Sequence, residues 1–276
     1  PPRLEAPPPG PRVLAYGSPP VRPPRAGWDA IDERNLVVSA SYATNTNARW
    51  RVDAFGVDTG LVPLRWRALS DALGADVLRG ARRYGVTHLA LPSNAHPSTA
   101  LENARAERTD PRTGMTFWAI PHRDWALFPA EAVAVPHLAA ALDEVARLQR
   151  EGRRTAVIEA EGEIPVAPGR VLEISRGREE LRIVAEAMDD AVLVVNDAFW
   201  PGWRALVDGA EVPIAPADVL VRAVPWPRGR HTLVMRYAPP ELRTGLVLTC
   251  AGMASLLAAA LWLRARARRG IGVEGA

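Results

Sequence analysis

The sequence predicts an α+β protein: a mixed α/β subdomain, then an antiparallel β-sandwich of jelly-roll type, then one C-terminal transmembrane helix. Three observations carry that prediction. Residues 244–263 contain no charge and end at Arg264, Arg266, Arg268 and Arg269. Residues 163–240 break into short stretches with apolar residues at alternate positions, divided by Gly, Pro and Asp. Residues 26–162 instead alternate helical periodicity with short apolar strands.

The elements follow in order. Residues 1–25 are dense in proline, Pro7, Pro8, Pro9 and Pro11 falling within five positions, which favours extended, solvated backbone and marks a linker or loop margin. Within it, residues 12–16 carry enough apolar side chains for an edge strand. A strand is predicted over 35–41 and a helix over 63–73, with Leu64, Leu69 and Leu73 inward and Gly74 at its end. A second helical stretch, 75–84, leads into a strand at 87–91. Residues 118–120 and 132–135 read as strands around the loop 121–128. Pro136 then opens a helix whose apolar residues Leu138, Ala141, Leu142, Val145 and Leu148 recur at three- and four-residue steps before Gly152. A strand at 155–158 closes the first subdomain.

From 163 to 240 strands are predicted at 171–174, 181–185, 191–195, 203–207, 219–224 and 231–237. Asp208-Gly209 joins 204–207 to 211–214 as a tight hairpin, since glycine accepts the positive φ such turns require. Arg228-Gly229 turns the chain into the last strand.

Residues 241–265 form the span and 266–276 a basic tail. At about 1.5 Å per residue, 20 helical residues extend roughly 30 Å, the hydrocarbon thickness of a bilayer. The alternative, a buried helix of a soluble protein, is disfavoured by the length of the run, its arginine flank and its uniform apolarity taken together. Trp262 falls where an interfacial ring belongs. The arginine cluster beyond it assigns the C-terminus to the cytoplasm and residues 1–240 to the extracytoplasmic side. The chain opens without an apolar signal segment, so a translocated domain here is expected to be the C-terminal piece of a longer polytopic chain.

Composition excludes several classes. All 34 basic residues are arginine, balanced by 31 acids for a net charge of +3, so the high isoelectric point does not indicate a nucleic-acid partner. The one cysteine, Cys250, lies inside the span and no disulfide framework exists. His88, His96, His122, His137 and His231 have no zinc spacing. No phosphate loop or nucleophile elbow is present. No catalytic residue, metal ligand or cofactor is therefore assigned.

The candidate carbohydrate contacts are Trp200, Trp203 and Trp226, whose indoles offer flat apolar faces to a sugar ring. The competing reading, which the Pro201-Gly202 bend favours, makes the first two a turn that caps the sandwich or its junction with the membrane. Trp226, between Pro225 and Pro227, reads as exposed and near the headgroups. Asp189-Asp190 and Glu159, Glu161 and Glu163 are the closest carboxylate groups; turn chemistry and the wet face of an edge strand account for them. Asp58 fits a turn or helix cap before Pro63.

Phe199-Trp200-Pro201-Gly202-Trp203, Val207-Asp208-Gly209, Arg222-Ala223-Val224-Pro225, Gly229-Arg230-His231 and Arg236-Tyr237-Ala238-Pro239, running directly into a terminal span, resemble the end of the YfhO-type family of bacterial polytopic membrane proteins. The match in order and spacing covers about residues 170–265. Gly56-Val57-Asp58 before Pro63, Tyr84-Gly85-Val86-Thr87-His88-Leu89 and residues 128–135 agree more loosely. The resemblance implies many upstream spans and a fold relationship to glycosyltransferases that draw sugars from polyprenyl-phosphate carriers, in the bacterial cytoplasmic membrane. In such enzymes the catalytic acid typically lies in the first extracytoplasmic loop, so no residue of this chain inherits that role. The implied function is the extracytoplasmic C-terminal region of a protein in cell-envelope glycan or lipid-linked sugar transfer, supporting or recognising carrier or acceptor. Its implied partners are the lipid bilayer, a polyprenyl-linked sugar or envelope glycan, and the upstream transmembrane part of the same protein. The alternative is a membrane-tethered carbohydrate-binding or structural assembly module without catalysis.

Overall fold

In a computed structural model of the chain, the described residues are 12–15, 53–54, 64–73, 80–94, 103–110, 114–121, 123–177 and 180–270. The expected strand at 35–41, Asp58, Gly74, His96 and His122 lie outside them. The architecture is α+β, built on three sheets.

The first sheet has the order β2-β1-β3-β5-β4. Strands β1 (Arg12–Ala15), β2 (Asp53–Ala54) and β3 (His88–Pro92) run parallel, while β4 (Arg105–Asp110) and β5 (Met115–Ala119) complete it antiparallel. The sequence placed β1 at an edge. It is instead an interior strand, because β2 and β3 pair with its two sides. Strand β4 has no apolar alternation, and only its ladder with β5 makes it a strand.

Strands β6 (Ala126–Leu127), β7 (Ala132–Val135), β8 (Ala156–Glu159), β11 (Ala191–Ala198), β14 (Ala215–Ala217) and β15 (Val221–Trp226) form a six-stranded sheet. Strands β9 (Gly169–Arg176), β10 (Glu180–Ala187), β12 (Trp203–Val207), β13 (Ala210–Val212) and β16 (Gly229–Tyr237) form an antiparallel five-stranded sheet. The two pack face to face. Leu181, Ile183 and Ala185 of β10, Ala205 and Val207 of β12 and Leu233 and Met235 of β16 meet Ala191, Leu193 and Val195 of β11 and Val224 and Trp226 of β15. The alternation read from the sequence puts these residues inward.

The other face of the six-stranded sheet carries Val192, Val194, Val221 and Ala223. They pack against Leu69 and Leu73 of α1 (Leu64–Leu73) and Ala141, Val145 and Leu148 of α2 (Leu138–Arg150). Leu64, expected inward, is 74% exposed, since at about 3.6 residues per turn it falls on the side of α1 opposite Leu73, and Trp66 of the same turn packs on the core instead. Helix α2 is capped by His137, whose Nδ1 accepts from Ala140 N at 3.2 Å. Because β6, β7 and β8 precede residue 163 and belong to the same sheet as β11, β14 and β15, the boundary drawn at 162/163 does not separate two cores.

A buried ionic knot ties these layers together. Asp218, in the turn between β14 and β15, is 0% exposed. Its Oδ1 accepts from Arg83 Nη1 at 2.8 Å and Val157 N at 3.0 Å, and its Oδ2 from Arg123 Nη1 at 3.0 Å. Tyr84 Oη donates to Asp218 O at 2.8 Å, and Asp218 N donates to Val157 O at 2.6 Å. Arg83 also donates to Thr155 O at 2.7 Å and Arg153 O at 3.1 Å, and Arg123 to Arg154 O. Asp218 and Val219 have φ of 45° and 71°, a left-handed pair that is costly for a β-branched residue. The hydrogen bonds on both sides of Asp218, with Arg65 Nη1 on Val219 O at 3.1 Å, hold it there. Burial and the Asp218 charge push the Tyr84 hydroxyl far above its ordinary range, and burial lowers Arg123.

Asp218→Asn keeps a residue tolerant of left-handed backbone and an acceptor for Val157, but removes the charge facing two buried guanidinium groups. It is expected to lower stability by about 3–5 kcal/mol. Urea unfolding in detergent checks this, and adding Arg123→Met should recover part of the loss.

Candidate functional site

The 199–203 turn leaves β11 and enters β12 beside the start of the long C-terminal helix, α3 (Pro240–Gly270). Gly202 takes φ of 98°. A Cβ there would lie 3.0 Å from Pro239 Cα, so only glycine allows the approach. Ala238 N donates to Gly202 O at 2.8 Å, and Phe199 N to Leu220 O at 2.7 Å. The turn is thereby fixed between the sandwich and the helix.

The three candidate tryptophans separate at this point. Trp203 lies over the Arg222 guanidinium, 4.0 Å from its Cζ, and packs against Tyr237 with ring centroids 5.4 Å apart. Its ring serves the junction. Trp226 is 1% exposed, against the expectation from its flanking prolines. Pairing of β15 with β11 turns Pro225 outward and Trp226 into the sandwich, where it meets Phe128 at 5.8 Å and His231 at 6.0 Å, and Nε1 donates to Gly229 O at 3.4 Å. It offers no face to a sugar or to headgroups. Trp200 is 51% exposed. It borders a pocket of about 250 Å³ shared with Phe199, Trp203, Arg204, Glu211 and Ile214. Arg204 and Glu211 form a two-pronged pair across that pocket's rim, at 2.8 and 2.6 Å.

Arg222 supports the turn from beneath. Its Nε donates to Ala198 O at 2.8 Å, and Nη2 lies 3.4 Å from Asp197 Oδ2. Burial lowers its pKa despite Asp197. Arg65 holds the other side: it clasps Glu159 at 2.5 and 2.9 Å and lies 5.2 Å from the centre of the Phe199 ring. Glu159 is thus an ion-pair partner, unlike the wet edge residue expected. Sequence reasoning missed Arg65, Arg83, Arg123, Asp218 and Arg222, since each pairs with residues distant in the chain.

Other charged groups have local roles. Asp190 Oδ1 accepts from Arg228 N at 2.9 Å and Asp189 Oδ1 from Asp190 N at 2.9 Å, the turn chemistry expected. Among the described residues no three His, Cys, Asp or Glu side chains converge on a metal-sized site.

Helix α3 contains one segment, Thr244–Arg264, long and apolar enough to cross a membrane, with none of it buried by the rest of the protein. Its hydroxyls return to the helix: Thr249 donates to Gly245 O at 2.8 Å and Ser255 to Ala251 O at 2.9 Å. Both hydroxyls are thereby satisfied within the helix, as an apolar medium requires. Fold and site together define a β-sandwich protein with a membrane-type helix. Comparison with protein-family models, curated proteins and solved structures finds no match.

At the opposite end of the sandwich His231 places Nδ1 2.6 Å from Asp208 Oδ2 and Nε2 2.9 Å from Arg228 O. Both nitrogens face acceptors, which favours the imidazolium. The Arg228 carbonyl and Asp208 raise His231 from its ordinary 6.5, and His231 with Thr232 N lowers Asp208 from 3.8. The His231 contribution is complete below pH 6.5 and fades as pH rises through the raised value. The Asp208 contribution is complete above 3.8 and fades as pH falls through the lowered one. The stability difference between the wild-type chain and His231→Gln should therefore be largest between those limits and shrink in alkali, as followed by unfolding midpoints across pH.

Proposed function

We propose that this chain is the extracytoplasmic C-terminal region and last span of a YfhO-like polytopic membrane protein working in cell-envelope glycan or lipid-linked sugar transfer. The sandwich supports the membrane part and holds carrier or acceptor at the bilayer surface. Catalysis belongs to a loop outside this chain. The supporting observation is that the Phe199-Trp200-Pro201-Gly202-Trp203 motif, which carries much of the resemblance, is the piece that joins the sandwich to α3 through Gly202 and Ala238. A turn fastened to the base of the helix in this way fits a domain whose position over the membrane matters.

Topology provides the first test. A cysteine at the exposed Met188 should react with a membrane-impermeant maleimide in intact cells, and a fluorescent protein fused after Ala276 should fluoresce. Labelling that requires permeabilised cells overturns the orientation. Deletion of the gene should remove a sugar from an envelope glycan or cause its polyprenyl-linked donor to accumulate; an unchanged glycan and donor pool retire the transfer reading.

A further inference from the structure

The geometry points to a second membrane contact: the 199–203 turn places Trp200 in the phospholipid headgroup layer at the N-terminal end of the span, fixing the tilt of the sandwich on the bilayer. The inference rests on α3 crossing a membrane, as in the proposed function, and goes beyond it.

Three observations converge. The turn is fastened to the chain just ahead of the helix, through Ala238 N to Gly202 O at 2.8 Å and the close approach of Gly202 to Pro239. Pro239 precedes Thr244, the first residue of the apolar segment, by five positions. At about 1.5 Å per helical residue that is about 7 Å. Each headgroup layer is roughly 5–8 Å deep. Depth alone therefore puts the turn in the interface.

The chemistry agrees with the depth. Trp200 is the one exposed tryptophan among the described residues outside α3, and exposed Pro201 and Tyr237 share its end of the sandwich. An indole with one apolar face and one N–H is suited to the boundary between acyl chains and water. An exposed indole on a face turned to bulk water would have no such compensation. Trp262, 59% exposed near the other end of the apolar segment, is the matching ring on the opposite interface.

Spin labelling of the full chain in vesicles of phosphatidylethanolamine and phosphatidylglycerol tests this. The labels are a nitroxide on Trp200→Cys in a Cys250→Ser background, a control on Met188→Cys in the same background, and the native Cys250. Met188 follows β10 at the far end of the sandwich, where Ala187 pairs with Gly229. Eight residue steps along β16, about 26 Å, separate that end from Tyr237. The ratio of oxygen to water-soluble nickel collisions at 200 should be several-fold higher than at 188 and lower than at Cys250, as expected of a site between water and the acyl chains. A label at 200 that behaves like 188, or that is sheltered from both reagents by protein, overturns the inference. A label at Cys250 open to nickel would overturn the span itself, whereas an oxygen-only Cys250 with a label at 200 as open to nickel as the one at 188 overturns this inference alone.

Discussion

The constraint on which the structure depends is the charge of Asp218. A carboxylate with no access to water is tolerated only when its lone pairs are filled and its charge is met. Here it is met by two guanidinium groups, Arg83 and Arg123, and by the Val157 amide. Arg83 arrives from the 3₁₀ turn Ala81–Tyr84 that feeds β3, and Arg123 from the link between β5 and β6. The carboxylate itself sits between β14 and β15. Two arginine-bearing stretches, 135 and 95 residues ahead of Asp218, therefore have to converge on it before any one of the charges can be buried. A knot with that requirement favours one arrangement of the layers over others with similar apolar burial.

Its location explains why the strained turn persists. Asp218 and Val219 adopt left-handed backbone where glycine would be less costly, yet both side chains are needed: the carboxylate for the knot and the valine for the core beneath the helices. The sheet that holds the turn is shared by two cores, with Val192 and Val194 facing α1 and α2 while Leu193 and Val195 face the sandwich. Loss of either core uncovers one apolar face of strands on which the other core also depends. The region before residue 163 and the region after it are thus parts of one cooperative unit from β6 onward.

The sequence made the periodic parts legible. Helix α2, the hairpin at Asp208-Gly209 and most sandwich strands follow from spacing, because a face that packs must repeat at the period of its backbone. Elements defined by partners were not legible. Strand β4 is polar but for Ala106, and β14 is three residues with a proline in the middle. Trp226 shows the limit most clearly: two flanking prolines favour an exposed loop, but pairing with β11 places Pro225 outward, which leaves its missing N–H harmless and turns the indole in. The same applies to the charges. Asp218 lies in Pro216-Ala217-Asp218, an ordinary turn sequence, and nothing local announces arginines 95 and 135 positions earlier. The 199–203 turn was read correctly as a bend, while its attachment to Pro239 appears only once β12 and β16 are paired.

That pairing also determines how the sandwich meets α3. Strand β16 ends at Tyr237 and α3 begins at Pro240, leaving Ala238 and Pro239 as the whole connection. Proline fixes φ at Pro239 and Pro240 and holds the preceding residues extended, and Pro240 occupies a position where a helix loses no hydrogen bond to it. A two-residue link of this kind has little freedom to swivel. The remaining freedom is removed by Gly202, which hydrogen-bonds Ala238 and abuts Pro239, and by Trp203 against Tyr237. Arg222, stacked on the inner side of Trp203 and bonded to Ala198, carries that restraint back into the six-stranded sheet. Orientation of the sandwich relative to α3 is therefore a property of the folded core, transmitted through one arginine, one indole and one glycine.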